Sequence, residues 1–442
     1  MKQKRKAWWQ TFLLLSLILS CYGCKDDKNE ETALLFDPSQ KIEITGFNPE
    51  SAGGGANFFV YGKNFGTDVS IIKVTVNDKD AIVISSDGST IYCMVPEKAG
   101  VGPVKVKIGD ENIGIQEAVS EKDFQYKGVL RVNTLIGWVD KDGRSTTLDG
   151  PFDKAQFREP AWLCFGETKN EIYVVEQVGV VRKIDLVKKE VTTLFSNSGD
   201  LNRPRTLAFS LDYDTLYISN DRDNDVHGMA VAYALKKDGY KKWARLVTGT
   251  NCNGADVNPV DGNLFYNCYQ LGQLYKWKKG TQEGKFLYRA GDIGWEYYVQ
   301  FEPEGNFAYM VCRNKGYVMK AFYDWNTREL VVPSVFVGNR GNFDYADGVG
   351  TNAHFNQPNQ GCFDKAKNFY LCDVDNHCIR KITPDGLVTT FAGRPREAGY
   401  SDGSLRNQAQ FRFPVGILYD EEKETFYIAD CINHRIRTIK AE

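Results

Sequence analysis

A chain of 442 residues exceeds one ordinary domain, so it folds as two or more domains or as a repeat. Its 55 Lys and Arg nearly balance 57 Asp and Glu, and the net charge of -2 argues against nucleic acid, which needs a basic face. Aromatic residues reach 13%, a level that β-strands favour and carbohydrate-binding surfaces share.

The N-terminus runs from a cationic MKQKRK through an apolar AWWQTFLLLSLIL to SCYGCKDD. The apolar run is too short to span a bilayer comfortably and reads as a targeting segment. It resembles a bacterial lipoprotein signal, in which a cysteine after a small residue is lipidated and begins the mature chain. Cys24, preceded by Gly23, is the expected lipidation site, with Cys21 an alternative. The KDD that follows Cys24 resembles the acidic tag of surface-exported lipoproteins in some Gram-negative bacteria. A plain cleaved secretory signal is the other reading. Residues 1–24 are therefore expected as signal peptide, and the charged, aperiodic residues 25–40 as a tether. No later stretch is apolar enough to cross a bilayer, so the expected location is the outer membrane or cell surface, held by lipid.

Beyond Cys24 nine cysteines remain, an odd number with no even spacing framework. Cross-strand bridges are open for Cys252 with Cys268 and for Cys362 with Cys372, which flank expected hairpin turns. Buried free thiols are the expected state for most of them.

Residues 41–128 alternate polar and apolar in short runs: KIEITGF, NFFVYG, IIKVTVN, AIVISS, TIYCMVP and PVKVKI. Such strands without a helical period give an all-β sandwich. ITGFNPESAGGGANFFVYGKNFG resembles the opening of an IPT/TIG immunoglobulin-like domain. Phe47 and Pro49 would end its first strand, and Gly62 to Gly66 would form the turn after the second. The resemblance implies a spacer or interaction module, and no catalytic constellation is visible in it.

From 129 to 442 one pattern recurs. FYLCDVDNHCIRKI (Phe369 to Ile382) aligns with FYIADCINHRIRTI (Phe426 to Ile439), matching Asp373 to Asp430, Asn376 to Asn433, His377 to His434 and Arg380 to Arg437. Weaker copies start at Ile172, Leu216, Leu264 and Phe307. Each is two β-runs joined by a polar turn. A second element, ending A-x-F-x-x-P, begins at Asp149, Asp347 and Asp402, and a short strand that usually ends in Gly follows each copy. These repeats resemble NHL-repeat propellers, strongly in blades 1, 5 and 6. The expected fold is an all-β chain, an immunoglobulin-like sandwich followed by a six-bladed β-propeller. The last blade has no fourth strand after it, and a spare one stands at Val132 to Gly137. The N-terminal strand is therefore expected to close the ring.

The cluster Cys372, Asp373, Asp375, His377 and Cys378 has the composition of a metal site. His377 and His434 are nevertheless repeat residues, while the thiols are not, so the segment reads as a blade turn. The chain holds four histidines and no nucleophile-elbow, zincin, P-loop or haem motif. Neither a cofactor nor a metal site is expected, although scattered Asp, Glu and Asn around a channel leave a metal-dependent lyase or lactonase-like hydrolase open.

In a four-stranded meander the fourth-to-first connections and second-to-third turns share one face, where propellers bind ligands. Aromatic candidates on that face are Trp162, Trp295, Tyr297, Tyr298, Phe343, Tyr345 and Phe413, which suit stacking on sugar rings or packing between blades. The layout of lipid, tether, spacer and broad face resembles accessory glycan-capture lipoproteins. It implies a non-catalytic binder of a glycan or glycoconjugate, with a surface protein or peptide as alternative partner.

Overall fold

The computed structural model describes residues 35–222, 228–292 and 294–442. Cys21, Cys24, His227 and the targeting segment lie outside the described residues. The chain divides into two compact units, a smaller N-terminal one and a larger C-terminal one.

The smaller unit is a sandwich. One sheet orders Glu43–Asn48, Asn57–Gly66, Gly88–Met94 and Ile82–Ser86. The other is built from Ile72–Val76, Gly102–Ile108 and Gln116–Tyr126, with two short flanking strands. In Gly102–Ile108 the buried Val104, Val106 and Ile108 alternate with Lys105 and Lys107, the period that packs one face and wets the other. Phe47, Phe58 and Phe124 meet in its core at centroid separations of 5.0 to 6.1 Å.

Two sequence expectations are corrected here. Gly62–Gly66 is no turn: the strand runs through it with a register shift, and Asn64 sits at φ 60. The Asn64 amide donates to the carbonyls of Asp37 and Gln40, which fixes the irregularity. Those bonds also pin the end of the segment expected as tether, and Gln116 donates to Pro38 and Gln40 as well.

The larger unit holds six sheets among the described residues, one per blade. Their innermost strands are Pro160–Phe165, Pro204–Phe209, Ala255–Val257, Tyr297–Phe301, Pro358–Phe363 and Pro414–Asp420 for blades 1 to 6. The second strands Leu264–Cys268 and Phe307–Cys312 are buried at every position, because each blade is covered on both faces by its neighbours. Closure follows the expectation from the spare strand. Leu130–Ile136 pairs antiparallel with Arg435–Ala441, from Leu130 against Ala441 to Ile136 against Ile436, and completes blade 6. Val132 and Ile436 are fully buried there, so the seam is part of the core and leaves no open edge.

The recurrent Asp-x-x-Asn-His-x-x-Arg segment is a buried clasp. In blade 5, Asp373 accepts from the Asn356 N–H, from Asn376 and from Arg380 at 2.7 to 2.9 Å. Arg380 also donates to Asp347 and to the carbonyls of Ala346 and His354. Blade 6 repeats this with Asp430, Asn433, Arg437 and Asp402, and blade 1 with Glu176, Arg182 and Asp149. The three guanidinium groups lie over the A-x-F-x-x-P phenylalanines, Phe157, Phe355 and Phe411, at 4.8 to 5.3 Å. A charge with no water contact persists because it is paired, here with two carboxylates and two carbonyls, although the Nε of Arg182 and of Arg380 has no acceptor among the described residues. One arginine thus ties two repeat elements together.

The repeat histidines are turn and staple residues. His377 and His434 hold the left-handed conformation at φ 56 and φ 60. His377 Nδ1 accepts from the Phe413 N–H at 3.4 Å, while His434 Nδ1 donates to the Arg158 carbonyl, so each reaches the entry of the next blade. Burial holds the His377 imidazole below its ordinary pKa, in keeping with a neutral acceptor. All nine described cysteines are free, with Cys372 and Cys378 buried, so neither open bridge, Cys252–Cys268 nor Cys362–Cys372, forms in the structure. Among the described residues no group of three or more His, Cys, Asp or Glu is arranged to hold a metal ion.

Candidate functional site: an axial pit with two unlike walls

A cavity of about 570 Å³ opens on the ring axis, and all six blades contribute to it. Its walls come from the starts of the innermost strands and from the second-to-third turns, the face expected from the meander. Blade 1 gives Ala161, Trp162 and Gln177, and blade 6 gives Phe413, Val415, Cys431 and Ile432. Blade 5 adds Asn359, Val374 and Asp375. The opposite wall is polar: Arg203, Arg205 and Asp221 from blade 2, Asn253 from blade 3, and Glu296, Tyr298 and Arg313 from blade 4.

The floor is closed by contacts that cross the axis. Blades 1 and 4 stand opposite one another in a six-membered ring, yet the Trp162 and Tyr298 rings lie 5.4 Å apart, each only 6% exposed. Gln360 of blade 5 accepts from Ile417 of blade 6 and, past that blade, from Leu163 of blade 1, and donates to the Leu163 carbonyl. Related bonds join other neighbours around the channel. Thr206 accepts from Ala255, Asp256 from Phe301, and Gln300 from Gly361. Side chains thus cap backbone groups that a plain blade contact would leave unpaired.

Charge on the wall from blades 2 and 4 is paired. Arg205 places Nε and an NH2 group 3.0 Å from Asp221, Arg203 stands 3.5 Å from the same carboxylate, and the Tyr269 hydroxyl donates to it at 2.9 Å. Arg313 bonds Glu296 at 2.8 Å, and its Nε is buried without a hydrogen-bond acceptor among the described residues. Burial pushes the Asp375 carboxyl above the usual range, with Arg313 and His377 pulling it back. Among the described residues that carboxylate accepts no side-chain hydrogen bond. Burial likewise raises the Cys431 thiol, so it is not a poised nucleophile.

Of the seven aromatic candidates the structure brings Trp162, Tyr298 and Phe413 together in the pit. Tyr297 is fully buried and donates to the Gln273 carbonyl of blade 3, so it packs between blades. Trp295 meets Tyr317 edge-on, with Arg340 4.2 Å above its ring. Tyr345 covers the clasp arginine Arg380 at 4.8 Å and bonds Thr390. Phe343 is 44% exposed on its loop and lies outside the pit. Sequence reasoning missed Arg203, Arg205, Asp221, Asn253, Glu296, Arg313 and Asn359. Their shared signal is position, within a few residues of an innermost strand or a second-to-third turn.

The IPT/TIG domain model matches residues 43–126. NHL repeat-containing protein 2 of Gallus gallus is 25% identical over 311 residues, 66% of this chain and 40% of that protein. The chain thus spans well under half the length of that curated relative. A crystal structure of an auxiliary nutrient binding protein from Bacteroides thetaiotaomicron is 38% identical, with TM-score 0.74, and covers 92% of this chain and 99% of that one. The chain belongs to that protein's family. Two further solved structures have similar reach. An auxiliary nutrient binding protein from Bacteroides ovatus is 29% identical with TM-score 0.76, covering 92% of this chain and 100% of that one. A putative phosphatase from Bacteroides thetaiotaomicron is 30% identical with TM-score 0.72, covering 93% and 99%.

Proposed function

We propose that this chain is a lipid-anchored surface protein that binds a glycan or glycoconjugate in the axial pit without transforming it. One observation carries the reading: the pit has a wall from blades 1, 5 and 6 with Trp162, Phe413, Val415 and Ile432, interrupted by the polar Gln177, Asn359 and Asp375, facing a charge-paired wall from blades 2 to 4. A sugar ring has the same division, an apolar C–H face edged by hydroxyls, and such sites are mostly apolar with a few fixed polar groups. Two family members described as auxiliary nutrient binding proteins support a binding role. The anchor rests on the Cys24 signal, with the IPT/TIG domain as spacer.

Affinity electrophoresis against starch, xylan, galactomannan, pectin and mucin O-glycans tests the reading. Retardation by at least one glycan, lost in Arg313→Ala, is the expected result. No retardation, with a surface protein captured instead, would move the assignment to the protein-binding alternative. Turnover of a phosphate ester, abolished in Arg313→Ala, would move it to the activity named for the phosphatase relative. Fatty-acid labelling lost in Cys24→Ala but kept in Cys21→Ala checks the anchor.

A further inference from the structure

The pit is a dead end with a preset donor at its wall, and this decides how a saccharide enters. The contact of Trp162 with Tyr298 joins opposite blades, and Gln360 spans from blade 5 to blade 1. A chain cannot thread the axis past these side chains. An open cleft accepts the middle of a polymer, whereas a blind pit accepts only what fits end-on.

Asn253 fixes the chemistry at the wall. Asn267 Oδ1 accepts from the N–H groups of Asn253 and Gly254, so its Nδ2 is the atom that donates to the Tyr297 carbonyl and to Asn253 Oδ1. With its oxygen engaged in that chain at 2.8 Å, Asn253 must turn its NH2 the other way. Asn253 is 2% exposed and lines the cavity, and among the described residues its NH2 has no acceptor. A donor that faces a cavity without a protein acceptor is completed by water or by a ligand oxygen. Across the pit the Asp375 carboxylate offers acceptors for hydroxyl protons.

The formal charges cancel. Arg203, Arg205 and Arg313 stand against Asp221, Glu296 and Asp375, so the cavity carries no excess of either sign to draw a charged sugar.

We infer that the pit captures the end of a neutral saccharide, or a free neutral mono- or disaccharide, with Asn253 and Asp375 bonding its hydroxyls. The inference rests on the glycan-binding reading and specifies its ligand. Titration calorimetry tests it with three probes: a neutral hexose polysaccharide retarded in electrophoresis, its own trisaccharide, and that trisaccharide oxidised at the primary alcohols to uronic acids. The expected result is one site per chain end, with polymer and trisaccharide affinities per end within about threefold. The oxidised probe should bind at least about tenfold more weakly.

Asn253→Ala should weaken trisaccharide binding by about tenfold or more, because a fixed donor is lost. Asp375→Asn sits on a turn away from the core and serves as the variant that keeps the fold, with a smaller loss expected. Three results overturn the inference and leave glycan binding intact: capacity that follows polymer mass, affinity that climbs with chain length, or a preference for the oxidised probe. Failure of every glycan to bind overturns both readings.

Discussion

Blades 1, 5 and 6 share a four-stranded plan with blades 2, 3 and 4 but use their buried polar groups differently. The clasp arginines Arg182, Arg380 and Arg437 occupy the place that strand register gives to Ala232, Tyr275 and Met319 in blades 2 to 4. The clasp acids Glu176, Asp373 and Asp430 correspond by the same register to Asn220, Cys268 and Cys312. In the first group charge is locked inside the blade. In the second the corresponding positions are uncharged, and the charged groups Arg203, Arg205, Asp221, Glu296 and Arg313 stand at the pit. One half of the ring carries the clasps and most of the pit's aromatic and aliphatic lining, and the other half carries most of its charged groups.

The harshest way to break this division is to open the ring within the half that carries the clasps. Deleting 130–136 removes the strand that completes blade 6 and exposes Val132's buried neighbours, so cooperative thermal unfolding should disappear. A truncated chain that melts like the full one would refute closure by that strand.

Next in size is the clasp. Arg380→Ala leaves Asp373 buried without its cation and should cost about 3–5 kcal/mol in denaturant unfolding. Replacing both partners, Asp373→Leu with Arg380→Met, should recover part of that loss, since the only charge then left unmatched is Asp347, which reaches solvent. Equal losses in the single and double variants would argue that packing, and not charge matching, carries the effect.

Arg313→Ala sharpens the comparison from the other side. Arg313 pairs with Glu296 near solvent, with side-chain exposures of 36% and 28%, so stability should change by less than about 1 kcal/mol while ligand retention is lost. The smallest effect is on pH dependence. Burial raises the Asp375 carboxyl, so it takes up its proton at a higher pH than an ordinary aspartate. On acidification through that raised pKa the acceptor is lost and binding should weaken, with a flatter profile in Asp375→Asn, measured by calorimetry at fixed ionic strength.

Much of this architecture was legible in the residues. Periodicity and turn chemistry marked the strands, and the alignment of Phe369–Ile382 with Phe426–Ile439 gave the repeat and marked His377 as one of its turn residues. The purpose of Asp149, Asp347 and Asp402 was not legible, because each meets an arginine 33 to 35 residues away along the chain. Gly62–Gly66 misled for a local reason: Gly and Asn mark bulges as readily as turns, and only the bonds of Asn64 decide between them. Among the aromatics, sequence placed all seven near one face and had no means to tell Tyr297, turned into the blade contact, from Tyr298, turned to the axis.

The sequence by itself determined what is local and periodic: strands, repeat length, blade count and the spare strand that closes the ring. Tertiary structure alone decided the pit, because its walls gather residues from every blade and its floor is a contact between opposite ones. Spacing along a chain encodes which groups share a strand. Which groups meet across an axis depends on how the ring closes, and that is a property of the assembled fold.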